Sequence, residues 1–271
     1  RACAGRASGL RRRGAASGIA VSGIGLGTLC MPPAAAYLID ALGWRGAWAV
    51  LGLLMAGAGG CALMFVRKAP SAAAGQGAGP WAAVRSRTFV LLYLAMAFIP
   101  LGAFIPFVHL VPYAEDQGLS RATAIWIFGM LGLGSALGRF FGGGVADRVG
   151  RRKALAAVFA ILAVMLLWWM YSHTAWQLCL FAGIFGAAYG SFVALFPALT
   201  VDYYGTRHSL GTIGLLYTAM SIGTLAGPRL AGDAFDAFGN YDVPIAVSAA
   251  FAMLAAALVA WMPDPAGTVR E

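Results

Sequence analysis

The chain has 271 residues, of which 61% are hydrophobic and only 11% are charged, and its formal net charge is +9. Soluble domains carry about 25% charged residues, so this composition excludes an ordinary soluble protein and indicates an integral membrane protein. We do not take the positive charge as a nucleic-acid-binding surface, because basic residues mark the cytoplasmic loops of membrane proteins.

Apolar segments long enough to cross a membrane recur along the whole chain. A helix needs about 20 residues to cross ~30 Å of hydrocarbon, and most of these segments carry no charge in their central turns. The predicted spans are residues 14–38, 46–66, 88–112, 122–145, 154–172, 175–200, 209–235 and 243–262. The predicted fold class is therefore an all-α integral membrane bundle with eight transmembrane helices.

The positive charges concentrate on one side of these spans. The N-terminal segment, the connection at residues 67–87 and the hairpin around Asp147 fall on the same side and hold most of the 19 Lys and Arg residues. The positive-inside rule makes that side cytoplasmic. The sequence thus predicts a multi-pass protein of the cell inner (plasma) membrane, in contact with the lipid bilayer, with both ends of this chain in the cytoplasm.

An internal repeat is indicated by glycines in the first and seventh spans. They share their spacing at an offset of 200 residues, with Gly14, Gly23 and Gly27 matching Gly214, Gly223 and Gly227. The alternative is a chance match between two glycine-rich membrane helices. A true repeat would have six helices, and two parallel halves of that size are a known transporter plan. A complete protein would then have twelve helices, and this chain would hold helices 5 to 12.

The connection at residues 67–87 is the long one, and it is rich in Ala, Gly and Pro. This composition is typical of a linker between two bundles. With the repeat, it predicts three parts. Residues 1–66 would be the last two helices of the N-terminal bundle, residues 67–87 a cytoplasmic interdomain linker, and residues 88–271 the C-terminal six-helix bundle.

A dense charged motif joins the fourth and fifth spans. Its residues are Gly143, Asp147, Arg148, Gly150, Arg151 and Arg152. This pattern resembles the cytoplasmic loop motif of the major facilitator superfamily, which lies between helices two and three and, in weaker form, between helices eight and nine. The resemblance implies a conformational switch that latches the two halves together. The alternative is that the motif only anchors the hairpin on the cytoplasmic side.

Asp147 is the residue expected to form this latch. A carboxylate can accept hydrogen bonds from the free N–H groups at a helix N-terminus. The pseudo-symmetry of the family places that N-terminus at the start of the first span, near Arg13 and Gly14.

Two further segments suggest a subfamily. The run Phe-Val-His-Leu-Val-Pro-Tyr-Ala at residues 107–114 is similar to helix seven of monocarboxylate-porter-like members, and Gly43-Trp44-Arg45 fits the same group. The resemblance implies a secondary active transporter of a small organic anion, a mono- or dicarboxylate, that works by alternating access. The alternatives are a transporter of another small solute and an inactive or regulatory transporter remnant.

Arg139 is the leading candidate for substrate binding. It lies eight residues before Asp147, or ~12 Å along a helix, at a depth where a cation costs ~2.5–3.5 kcal/mol. A guanidinium can hold a carboxylate through two parallel hydrogen bonds. In the monocarboxylate and oxalate:formate carriers that the chain resembles, an Arg on helix eight binds the substrate anion. The alternative is an Arg that snorkels to the cytoplasmic surface.

Three other residues complete the predicted substrate site. Tyr189 and Tyr217 are polar groups in otherwise apolar spans and could line a cavity, although aromatic packing is the alternative. His109 is a further candidate, with a hydrogen-bonded structural role as its alternative. Four residues before Arg139, where proton-coupled carriers have an acid, this chain has Ser135. Coupling to protons or to a counter-anion therefore stays open.

An enzyme is not expected. The sequence contains no H-E-x-x-H motif and no pair of acids in the centre of one span, and an intramembrane enzyme needs a metal set or a nucleophile with its base. No cofactor and no metal site are predicted.

Overall fold

The computed structural model describes residues 2–65 and 84–265, with side chains from Gly23 onward except residues 24–26, 65, 206–208 and 210. The regular structure within these ranges is helical. We number the helices α1 (Ala2–Phe65), α2 (Arg87–Ala103), α3 (Ile105–Asp116), α4 (Arg121–Val149), α5 (Arg151–Met170), α6 (Ala175–Phe238) and α7 (Asp242–Ala260).

Two helices, α1 and α6, are 64 residues long and each contains one sharp break. The break in α1 is at Gly43, with φ 69° and ψ 167°, and the break in α6 is at Gly205, with φ 72° and ψ 171°. Glycine adopts a positive φ at little cost, whereas other residues rarely do. Each long helix is therefore two helices in succession. The breaks fall between the first and second predicted spans and between the sixth and seventh.

A milder break separates α2 from α3 at Phe104. Pro106 lies in the first turn of α3, and it has no N–H to donate to the carbonyl one turn earlier. The chain passes through Phe104 in a helical conformation, with φ −88° and ψ −12°. The two short helices therefore form one continuous apolar stretch.

Six stretches of the described residues are long and apolar enough to cross a membrane. They are Gly27–Met64, Arg87–Asp116, Arg121–Val149, Arg151–Met170, Ala175–Gly205 and Asp242–Ala260. The all-α membrane bundle is thus confirmed, whereas the predicted count of eight spans is not. The seventh predicted span, residues 209–235, is helical but is not among the six. The predicted linker lies mostly in residues 66–83, outside the described part, so the three-part division stays a prediction.

The core of the bundle is aromatic. The largest fully buried side chains include Trp169, Phe159, Phe181, Phe185, Phe192 and Phe196. Most of them lie on the first half of α6, which packs against α4 and α5, while α5 also packs against α7. The second half of α6 packs against α2, where Gly223 and Gly227 face the backbone of Ala97 and Leu101. The first half of α6 is therefore the centre of the packing.

The contact between α4 and α6 is a close approach of two backbones. A Cβ added to Gly138 would overlap the carbonyl of Ala187, and one added to Gly190 would overlap the carbonyl of Ser135. The hydroxyl of Ser191 also donates a hydrogen bond to the carbonyl of Gly138 at 3.0 Å. Small residues such as these glycines let the backbones of two membrane helices approach closely.

We predict that Gly138→Ala lowers the free energy of unfolding by about 1–3 kcal/mol, the usual cost of overpacking. The added methyl group would overlap the backbone of Ala187 and force α4 away from α6. Thermal unfolding of the purified protein in detergent measures the change. Gly144→Ala is the matched control, because a Cβ at Gly144 meets no atom within 4 Å. Equal melting temperatures for the two variants would contradict the close contact.

Candidate functional site

Arg139 lies inside the bundle on α4. Only 6% of the residue is exposed. Its Nη1 donates a hydrogen bond of 2.8 Å to the Oγ of Ser135, one turn earlier on the helix. Its Nε is buried and has no hydrogen-bond partner among the described residues. The side chain thus bends away from the charged hairpin, and this geometry does not fit an Arg that snorkels to the cytoplasm.

The guanidinium has one edge available. On an arginine, Nε and Nη2 point the same way and together can donate to both oxygens of a carboxylate. Ser135 uses Nη1, and Nε is buried without a hydrogen-bond partner among the described residues. A buried donor without a partner costs about 1–3 kcal/mol, and more when the group is charged. The site therefore favours an added acceptor.

Tyr189 faces the same region from α6. It is 8% exposed, and its ring centroid lies 5.9 Å from that of Phe104 and 4.9 Å from that of Phe107. Its phenol interacts electrostatically with both Arg139 and Tyr217. The aromatic packing that was the alternative for Tyr189 is thus present, and its role in substrate binding stays a prediction.

Tyr217 approaches from the second half of α6. It is 40% exposed, and its ring packs edge-on against Phe196 with the centroids 5.6 Å apart. The described interactions connect three of the four predicted substrate-binding residues, because Tyr189 interacts electrostatically with both Arg139 and Tyr217.

His109 lies elsewhere. Its Nε2 is 3.0 Å from the carbonyl oxygen of Pro228, and its Nδ1 is 3.4 Å from the hydroxyl of Tyr241. A carbonyl can only accept, so Nε2 carries the proton and Nδ1 of the neutral ring accepts from Tyr241. These contacts agree with the structural role that was the alternative for His109, and a role in substrate binding stays a prediction.

Tyr241 is suited to hold His109 in this form. Burial raises the pKa of the Tyr241 phenol, and the nearby carboxylates of Asp116 and Asp236 raise it further. The phenol therefore keeps its proton over the whole neutral range and can donate it to Nδ1 of the histidine.

The charged hairpin between α4 and α5 is braced by Arg151. Its Nη1 donates to Asp202 at 2.6 Å, and its Nη2 lies 3.4 Å from Asp147. The hairpin turns at Gly150, which has a φ of 90°. The side chain of Asp147 remains 65% exposed, so Arg151 leaves most of this carboxylate accessible. The predicted latch partner near Arg13 and Gly14 lies among side chains outside the described part.

Arg152 ties the hairpin to the end of α7. Its Nε donates to Asp264 at 2.8 Å, and its Nη1 donates to the carbonyls of Ala260 and Met262 at 2.5 and 2.7 Å. The last carbonyls of a helix have no partner within the helix, so a cation satisfies them well. Sequence analysis missed Asp202 and Asp264. Their only signal was a single acid at the end of an apolar segment.

Comparison with known proteins gives a family match along almost the whole chain. The family model described as Major Facilitator Superfamily matches residues 1–113 and 91–270. The chain is similar to Monocarboxylate transporter 11 of Mus musculus, with 30% identity over 89% of this chain and 57% of the relative. It is similar to Monocarboxylate transporter 13 of Rattus norvegicus, with 26% identity over 93% and 60%.

Another relative is named for a different function. The chain is 27% identical to the Aspyridones efflux protein apdF of Emericella nidulans, over 85% of this chain and 48% of the relative. The chain thus spans about half the length of the curated relatives that it matches.

We predict that Arg152→Lys lowers the free energy of unfolding by about 1.5–3 kcal/mol, the value of hydrogen bonds to charged groups. A lysine cannot reach Asp264 and both carbonyls at the end of α7 with one fixed geometry. Thermal unfolding in detergent checks the change. Arg148→Lys is the control, because Arg148 has no ion pair among the described residues. An equal shift in both variants would mean that the three contacts of Arg152 add nothing.

Proposed function

This chain belongs to the major facilitator superfamily, and we propose that the full-length protein is a secondary active transporter of a small organic anion, a mono- or dicarboxylate, that works by alternating access. The family is one of transporters, so the expectation that the chain is not an enzyme is confirmed. The observation that carries the proposal is the buried guanidinium of Arg139, whose Nε has no hydrogen-bond partner among the described residues.

The charge of Arg139 is the first argument for an anion. Its described hydrogen-bond partner is the neutral hydroxyl of Ser135, and no carboxylate among the described residues forms an ion pair with it. A cation removed from water needs a counter-charge or a dense set of acceptors. A bound carboxylate would supply the counter-charge at the Nε–Nη2 edge, where two parallel hydrogen bonds can form.

The surroundings of Arg139 argue for a small organic anion. The hydroxyl of Tyr189 lies near the guanidinium and could donate to the same carboxylate, with Tyr217 beside it. Phe104 and Phe107 pack on Tyr189 and offer an apolar wall to the carbon part of the molecule. Sites of this kind combine a few placed polar groups with an apolar lining.

The names of the relatives bear on the substrate in two ways. Two of them are called monocarboxylate transporters, which agrees with a carboxylate. One is called an aspyridones efflux protein, which favours the alternative of another small solute and of transport out of the cell. Coupling to protons would need a titratable group other than Ser135, whereas exchange for a counter-anion could use Arg139 itself.

The chain is a multi-pass membrane protein, and we propose that its charged hairpin lies on the cytoplasmic side of the inner (plasma) membrane. There Asp147 would latch the two halves of the full-length protein. The exposed carboxylate of Asp147, with its one contact to Arg151 at 3.4 Å, supports this role, because one oxygen remains to accept from a helix N-terminus.

We predict that Arg139→Lys raises the KM for uptake of small radiolabelled carboxylates at least about tenfold, which corresponds to ~1.4 kcal/mol. A lysine keeps the charge but cannot form two parallel bonds. Uptake into proteoliposomes containing the full-length protein gives the measurement. Arg229→Lys is the control, because Arg229 is 82% exposed and lies 3.8 Å from Asp233.

The outcome of this experiment separates the alternatives. An unchanged KM in Arg139→Lys with normal expression would remove Arg139 from the substrate site. If the unmodified protein takes up no carboxylate, the result would favour a transporter of another solute or an inactive remnant.

For the latch, we predict that Asp147→Asn lowers the uptake rate at least about fivefold, since losing ~1 kcal/mol from one conformation shifts its population by that factor. The amount of protein in the membrane should not change. Glu115→Gln is the control, because Glu115 is exposed and lies at the end of α3 away from the hairpin. Normal uptake by Asp147→Asn would exclude the latch.

A further inference from the structure

A long apolar groove lies on the periphery of the bundle, between α4, α5 and the first half of α6. Its volume is about 660 Å³. Phe141 and Val145 of α4 line one side, Ala157 and Ile161 of α5 line the other, and Ile184 of α6 contributes to the lining. The three helices are all candidate membrane spans. Neither Arg139 nor Tyr189 lines the groove, so it is separate from the substrate site.

The groove has the length of one bilayer leaflet. On α4 it extends from Val149, next to the hairpin, to Leu137, which is about 18 Å at 1.5 Å per residue. Half of a ~30 Å hydrocarbon core is ~15 Å. The side chains along this path are exposed, with Phe141 at 61% and Val145 at 60%. The groove therefore extends from the membrane surface to the bilayer centre.

The hairpin end of the groove is charged. Lys153 is the single charged residue among the described ones that line it. Lys153 and Val149 also line a second cavity of about 280 Å³, which is polar and contains Arg148. The apolar groove and the polar cavity are therefore adjacent, and Lys153 lines both.

Two of the four cations in the polar cavity are already paired. Arg151 is bound to Asp202 and Asp147, and Arg152 is bound to Asp264. Arg148 and Lys153 form no ion pair or hydrogen bond with the described residues. They leave a net positive site directly above an apolar groove.

We propose that this groove binds an anionic phospholipid, with one acyl chain along α4 and α5 and the phosphate group held by Lys153 and Arg148. A soluble anion would leave the apolar groove unused, and a chain without a charged head would leave the two cations unpaired. A zwitterionic choline headgroup would add a third cation next to them. The positive-inside rule places Lys153 and Arg148 on the cytoplasmic side. The lipid leaflet on that side is the anionic one.

The test is native mass spectrometry of the full-length protein with phosphatidylglycerol or phosphatidylcholine of identical acyl chains. We expect phosphatidylglycerol to bind more tightly. Lys153→Ala should weaken its binding about fivefold, the effect of one lysine near an anionic surface, and Lys153→Arg should preserve it. Arg121→Ala is the matched control, because Arg121 is also an exposed cation in the first turn of a helix.

A second pair of variants tests the acyl chain. Ala157→Trp would fill the groove and should weaken binding of phosphatidylglycerol several-fold, whereas Ala250→Trp adds the same ring at an exposed site outside it. Both alanines are exposed, so unchanged melting temperatures should confirm intact folding.

Three results would overturn the proposal. Equal binding of the two lipids would indicate only general lipid contact. An equal loss in Lys153→Ala and Arg121→Ala would show that the charge at the groove does not matter. Full competition by glycerol phosphate, with no effect of Ala157→Trp, would indicate a site for a free anion. None of these results depends on whether Arg139 binds a substrate.

Discussion

The close contact between α4 and the first half of α6 positions the rest of the site. Lipid tails are as apolar as leucine, so burial alone does not hold two membrane helices together, and van der Waals contact between close backbones must do so. Gly138 and Gly190 make this contact, because a Cβ at either position would overlap a facing carbonyl. Arg139 follows the first of these glycines and Tyr189 precedes the second. The same contact that joins the helices therefore places the guanidinium next to the phenol.

The two groups of charges in the chain are satisfied in different ways. At the hairpin, Arg151 and Arg152 contact carboxylates and helix-end carbonyls within the bundle. Among the described residues, Arg139 has the hydroxyl of Ser135 as a partner, and its Nε–H has none. A protein that keeps a buried cation in this state gains stability from any anion that binds there. This incomplete pairing supports the proposed anion site at Arg139.

Local features of the sequence predicted much of this structure, but they could not predict the contacts between residues far apart in the chain. Apolar length predicted the helices, and the cost of an intramembrane charge identified Arg139. The span count was not confirmed, because Gly27–Met64 forms one apolar stretch across the break at Gly43 and residues 209–235 are not among the six candidate spans of the described residues. The partners of His109 also could not be predicted. Its contacts are Pro228 and Tyr241, which lie 119 and 132 residues away in the sequence.

Three faces of α4 differ in what they contact: one packs against α6, one carries Arg139, and one lines the groove. The period of the helix explains how these faces are separated. Positions 134, 138 and 142 are four residues apart, so they form one stripe, and each of these glycines faces α6. Each next residue is rotated by about 100°, which places Ser135 and Arg139 on the buried side. Positions 137, 141 and 145 are rotated the other way, and their side chains are exposed along the groove. A shift of one residue in the glycine stripe would turn the guanidinium into the helix contact or out to lipid. The spacing of the glycines therefore determines where the charge can be.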